Sequence, residues 1–213
     1  MDFDALSTLL SPSQANRFYG VAIGVVTNNQ DPEGMGRVKV RLPWLTDDDE
    51  SHWARVVAPM AGNQRGLYFL PEVDDEVLLA FEHGIVEFPY VLGALWNGMD
   101  KPPETNADGK NNTRTIKSRS GHVIRLDDSD GAEKIEIVDK SGKNSITFDA
   151  SANTITIKAD KDIAIESSNG RLKLSGKGVE IKSSGAVRVE ADQAMELKAN
   201  GRMTVKGATV NIN

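Results

Sequence analysis

From residue 123 onward the chain repeats one short figure, an aliphatic residue, a polar one, another aliphatic one and then a polar gap. The aliphatic pairs open at Val123, Ile135, Ile146, Ile155, Ile163, Leu172, Val179, Val187, Met195, Met203 and Val210, and their spacing tightens from 12 and 11 residues to a steady 7 to 9. In "LKL", "VEI", "VRV", "MEL" and "MTV" the two apolar side chains are two residues apart. They therefore share one face of an extended strand, with the polar residue between them on the other. Glycines such as Gly170, Gly185, Gly201 and Gly207 fall between the pairs, where the chain must turn. A three-residue strand with one apolar face buries nothing alone, so the pattern predicts stacked short strands in a long β-solenoid.

The pattern before residue 104 is different. From Tyr19 it reads as short strands of alternating character, clearest in "RVKVRLPWL", where Val38, Val40 and Leu42 alternate with Arg37, Lys39 and Arg41. "YGVAIGVVT", the turn "NNQDPEGMG" and that segment make a half-buried hairpin; "HWARVVAPMAG", "GLYFLPEVDDEVLLAFEHG" and "FPYVLGALWNG" add strands between Gly and Pro turns. Some five strands in about 80 residues suggest a small closed barrel of the OB type, although the count fits other small barrels. All 8 prolines and every aromatic except Phe148 precede residue 104, and the turn-rich "NGMDKPPETNADGKNN" marks the change. The fold class is all-β, in four parts: an arm over residues 1–18, a barrel over 19–98, a linker over 99–120 and the repeat over 121–213. The arm carries Phe3, Leu6, Leu9 and Leu10 at helical spacing, with Pro12 beyond them.

Composition narrows the partners. There are no cysteines, so disulfides and thiolate metal sites are excluded. The first residues, "MDFDALSTLL", have no basic region and no apolar run approaches the roughly 18 residues that span a bilayer, so neither a signal peptide nor a transmembrane helix is expected. Net charge is −6, and residues 1–103 hold 7 basic against 15 acidic groups. That acidic half argues against a nucleic acid partner, whose phosphates need clustered Lys and Arg.

The candidate chemistry is thin. "DPEGMG" has a Gly-x-Gly but no following Lys and Ser or Thr, and reads as a hairpin turn rather than a phosphate loop. Asp47, Asp48, Asp49 and Glu50 have the ligand type Ca²⁺ takes, yet four consecutive acids cannot converge on one ion, and a solvated loop is expected. Asp74, Asp75 and Glu76, even with His83, supply neither a nucleophile nor an oriented base. Trp44, Trp53 and Trp96 could form a sugar platform, but in so small a barrel they are expected in the core. No catalytic residue, metal site or cofactor is predicted.

Two architectures satisfy the repeat. One chain could coil on itself, or three parallel chains could wind about one axis; the sequence lacks the Asn ladders and Gly-rich calcium-binding turns of several single-chain forms. The first would suit a carbohydrate-binding or carbohydrate-active protein, but such a protein needs clustered acids or aromatics on one solenoid face.

"DPEGMGRVKVR", "PEVDDEVLLAFEHG" and "YVLGALWNG", in that order, resemble the baseplate assembly protein V family, the central spikes of contractile phage tails related to the VgrG spikes of type VI secretion. The resemblance is close over residues 19–98, and the repeat matches the family's needle in style. It implies a trimerising OB-fold collar, and below it a triple-stranded intertwined β-helix that is driven through a cell envelope. The needle axis would then be lined by Val179, Ile181, Val187, Val189, Met195, Leu197, Met203 and Val205. VgrG spikes usually carry a large hub domain before the OB fold; here about eighteen residues precede Tyr19, so the hub is expected to be a separate protein met by Phe3, Leu6, Leu9 and Leu10. Nor does residues 97–120 leave room for the lysozyme domain of some phage spikes. His52, His83 and His122 are the only histidines and form no His-x-His apex. Val210, Asn211, Ile212 and Asn213 are instead expected to receive a PAAR-type tip protein. The implied setting is a virion tail baseplate or another contractile injection particle, and the implied role mechanical rather than enzymatic.

Overall fold

In the computed structural model, residues 17–45 and 50–212 are described. Five strands close a barrel: β1 (Ala22–Asn28), β2 (Arg37–Arg41), β3 (Ala54–Val56), β6 (Glu76–Phe81) and β7 (Pro89–Ala94), in the order β1-β2-β3-β7-β6. β3 and β7 run parallel and the other neighbours antiparallel. The alternation of β2 is realised as read, with Val38 and Val40 fully buried and Arg37, Lys39 and Arg41 turned outward. Val26, Val77, Leu79 and Val91 complete the fully buried set, with Ala54 between them and Phe81 at one end. Between β3 and β6 a miniature hairpin pairs β4 (Ala61–Gly62) with β5 (Arg65–Gly66).

The expected tryptophan core is corrected. Trp44 and Trp96 are exposed, and Trp53 lies on the outer wall, beneath the charged ends of Arg37 and Lys39 at 5.8 and 5.6 Å. The interior of a five-stranded barrel with such short strands is filled by Val, Leu and Ala with Phe81 at one end, and the larger indole rings stay outside, where two cations cover the face of Trp53.

The second part of the chain is more heterogeneous than a uniform repeat. Residues 113–158 form an antiparallel meander of β8 (Thr113–Lys117), β9 (Val123–Asp127), β10 (Lys134–Val138), β11 (Ser145–Asp149) and β12 (Thr154–Lys158), paired in the order β12-β11-β10-β9-β8. β8 occupies the second half of the expected linker. "TRTIK" shows only one aliphatic residue, and it is cross-strand pairing of Ile116 with Ile124 that recruits it. The wide early spacing of the aliphatic pairs is thus the period of hairpins. The tight later spacing belongs to a separate unit, Lys161–Asn213, in whose described residues one copy of the chain forms no strand ladder.

Candidate interaction surfaces

The meander sorts its side chains by the two-residue period. One face carries Ile116, Ile124, Leu126, Ile135, Ile137, Ile146, Phe148, Ile155 and Ile157, all exposed. The register sets Ile137 directly between Ile124 and Ile146, and Phe148 between Ile135 and Ile155. Shallow hollows of about 500 and 370 Å³ open on this face. On the opposite face Thr115, Arg125, Glu136, Thr147 and Thr156 stand in one cross-strand row. There Glu104 accepts from Thr115 Oγ1 at 2.9 Å and from Arg125 at 2.8 Å. Those two bonds, the Thr115 hydroxyl first, hold its carboxyl below the usual range. An antiparallel sheet with one wet face normally turns its polar side to water. Here the polar side is the better covered, and the apolar side leaves nine large hydrophobic side chains open in one contiguous patch of the kind that marks an interaction surface.

The repeat behaves the same way. Val179, Ile181, Val187, Val189, Met195, Leu197, Met203 and Val205 are between half and three quarters exposed, so within one copy the proposed axis residues pack against nothing that covers them. A chain coiled on itself would bury these pairs against its own turns. The alternation is nevertheless present: Arg188 and Glu190, interleaved with Val187 and Val189, meet in a 2.6 Å ion pair. Val210 and Ile212 are exposed and Asn213 lies outside the described residues.

At one end of the barrel the chain enters through an aromatic clamp. Phe18 stacks on Trp44 at 5.3 Å and meets Phe81 edge-on at 5.7 Å, while its amide donates to the carbonyl of Gly84. Gly84 has φ +75°, and a Cβ there would stand 3.2 Å from Arg17 Cβ, so a side chain would crowd the entering strand. Phe3, Leu6, Leu9 and Leu10 lie outside the described residues, as do Asp47, Asp48 and Asp49. Glu50 is turned to Lys39 Nζ at 2.9 Å. Asp74 and Asp75 form the turn into β6 while His83 lies past its far end, so they do not meet in one site.

The hairpin turn "DPEGMG" holds a residue whose role sequence reasoning missed. The side chain of Asp31 is almost fully covered and accepts from the amides of Glu33, Met35 and Arg37 and from the Arg37 guanidinium at 2.7 and 2.8 Å. The guanidinium above all depresses the Asp31 carboxyl well below the usual carboxylate range, and the same pair pushes Arg37 further up. The signal was available as an Asp six residues before an Arg across a Gly-rich turn.

Residues 22–96, the span of the closed barrel, match the family model of the type VI secretion system/phage-baseplate injector OB domain. Over this barrel the chain resembles the VgrG-like baseplate spikes. Among curated relatives from Pseudomonas aeruginosa, it is 29% identical to the type VI secretion system spike protein VgrG1a over 128 residues, which are 54% of this chain and 20% of that one. It is 30% identical to the spike protein VgrG1c over 113 residues, 48% of this chain and 16% of the relative, and 28% identical to VgrG2a over 120 residues, 52% and 14%. The chain thus spans a fifth or less of the length of each of these relatives. Among the described residues no helix is long and apolar enough to cross a membrane, and no group of three or more His, Asp or Glu is arranged to hold a metal ion.

Proposed function

We propose that the protein is the trimeric central spike of a contractile injection baseplate, and that it acts mechanically rather than as an enzyme. The observation that carries this reading is the open apolar face of the meander, continued in sequence by the exposed aliphatic pairs of the repeat. Three copies could close three such faces on one another as the sides of a prism. In the repeat, three extended chains sharing the eight-residue period would each supply the strand neighbours the others lack, in a triple-stranded β-helix with Val179 to Val205 along its axis. Every strand end would then be paired and every charged residue left outside, which gives a uniform, stiff needle suited to penetrating a cell envelope. The barrels would form the collar that nucleates baseplate assembly.

The same reading includes a separate hub protein, met by the arm with Phe3, Leu6, Leu9 and Leu10, and a PAAR-type tip protein seated on Val210, Asn211, Ile212 and Asn213. The particle would be a phage tail or a related injection machine. The relatives, type VI secretion system spike proteins, support the setting. The deciding measurement is mass in solution together with resistance to detergent. The purified protein is expected to weigh three times 23.1 kDa and to stay assembled in SDS until boiled. A monodisperse species of 23.1 kDa overturns the reading.

A further inference from the structure

The barrel end from which the chain passes into the meander carries two apolar features that do not meet in one copy. Registers Arg37↔Arg55, Val56↔Val91 and Val77↔Ala94 gather at this end the β1–β2 turn, the segment after β3 and the exit of β7. The first feature is a groove of about 610 Å³ whose apolar lining includes Met35, Val57, Met60, Leu67, Tyr68 and Phe69. Its walls are set by backbone rather than by mutual burial of those side chains. Gly66 has φ +151° and a Cβ there would lie 2.5 Å from the Met60 carbonyl, so the small hairpin closes only with glycine. Asp31, with its fan of bonds, fixes the turn that brings Met35 and Gly36 beside the Tyr68 ring. Tyr68 is nonetheless 76% exposed.

The second feature is a knob. Just past β7, the Asn97 side-chain oxygen accepts from the amides of Met99 and Asp100 at 2.8 and 2.7 Å, closing a turn that holds Met99 90% exposed beside the exposed Trp96. Neither Trp96 nor Met99 lines its own chain's groove.

We infer that Trp96 and Met99 of each copy insert into the Met35–Tyr68–Phe69 groove of the next copy, so that the collar is locked by three identical cross-copy contacts. This rests on the three-copy reading proposed above. A three-fold ring joins each subunit to the next through two different patches that must lie at the same height along the axis. With the barrel axis along the three-fold axis, knob and groove would meet that condition, since both sit at the same barrel end. The contact is also continuous with the open sheet face: Arg119, in the turn between β8 and β9, pairs with Glu72 at 2.6 Å, which ties the meander to this same end. Thioether and aromatic side chains on both sides are the chemistry expected at the centre of such an interface, the flexible methionines filling what the rigid rings leave.

Cross-linking tests it, because the chain has no cysteine of its own. The double variant Tyr68→Cys with Met99→Cys, and a second pair, Met60→Cys with Trp96→Cys, are oxidised and run boiled without reductant beside their four single variants; native mass is measured in parallel. The expected result is that at least one pair moves most of the chain from the monomer band to a covalent species of three times 23.1 kDa, while no single variant does so. Both pairs staying at the monomer band, or closing a disulfide within one chain, in a preparation whose native mass is trimeric overturns the knob-and-groove contact and leaves the trimer standing. A monomeric native mass overturns the three-copy reading and this contact with it.

Discussion

Asp127, Asp139 and Asp149 hold three of the four turns of the meander, each accepting bonds from the residues that follow it. Asp127 takes the Ser129 amide, and Asp149 takes the Ala152 amide and the Ser151 hydroxyl. Asp139 takes the Ser141 hydroxyl, the Asn144 amide nitrogen and the Asn144 side chain. These are Asx turns, in which a carboxylate does the work of a backbone carbonyl. All three carboxyls are held below their ordinary range; Asp139, whose largest influence is the Ser141 hydroxyl, is pulled to about 2 from 3.8. Because the folded state binds the proton less readily than the unfolded chain, the stabilisation that Asp139 contributes is complete above about pH 4 and is lost as pH falls through about 2, and Asp127 and Asp149 act in the same direction. An acid titration is therefore expected to lower the melting temperature across that window. In the Asp139→Asn variant the fall is expected to be shallower, because one of the titrating groups is gone, and an unchanged acid slope in that variant would show that the turn does not carry the dependence. Such roles were invisible in the sequence, where aspartates in "DDSD" and "DASAN" look like ordinary solvated turn residues.

At the level of elements, the alternation in β2 and the aliphatic pairs of β9 to β12 were legible because burial and pairing follow the two-residue period directly. The barrel itself was legible as five strands. What could not be read was strand direction: "IEI" and "ITF" look alike in a parallel stack and in an antiparallel meander, and only the hairpin turns of the register distinguish them. β8 was missed for a related reason, since its pairing with β9 supplies what its own composition does not. The tryptophans were misplaced because aromatic content says how much surface there is to cover, not which side of a narrow barrel covers it. The apolar face of the sheet makes the sharpest test at this scale. Ile137 sits at its centre, between Ile124 and Ile146, and contributes nothing to the barrel core. Replacing it with Glu would put one carboxylate per copy into the shared interior, where burial without a partner costs several kcal/mol per group. The variant is expected to keep the barrel's cooperative unfolding while its native mass drops to that of a single chain. A variant that remains fully assembled would mean that this face does not meet other copies.

For the whole molecule the question is whether the repeat acts as a register or merely as a tail. If three chains share one axis, each octad adds one layer that touches only the layers above and below, as in other stacked-repeat proteins. Removing one complete layer should then shorten the needle without disturbing its order, whereas removing half a layer should set turns against strands in all three chains at once. The pairs at Val179, Val187, Met195 and Met203 are spaced by eight without a slip, so this stretch is the place to cut. Deletion of residues 187–194 brings Met195 to the position Val187 held and keeps the spacing. Deletion of residues 187–190 removes only four of the sixteen residues between the two pairs: Met195 then follows Val179 at twelve residues, and the octad is broken. The eight-residue deletion is expected to give a trimer that still survives SDS until boiled. The four-residue deletion is expected to lose that resistance at lower temperature or to assemble poorly, although it removes fewer residues and the same kinds of side chain. A tail without register would rank the two the other way, by the amount of chain lost, or would not distinguish them; either outcome would remove the shared axis from the reading while leaving the collar and meander contacts to be judged on their own tests.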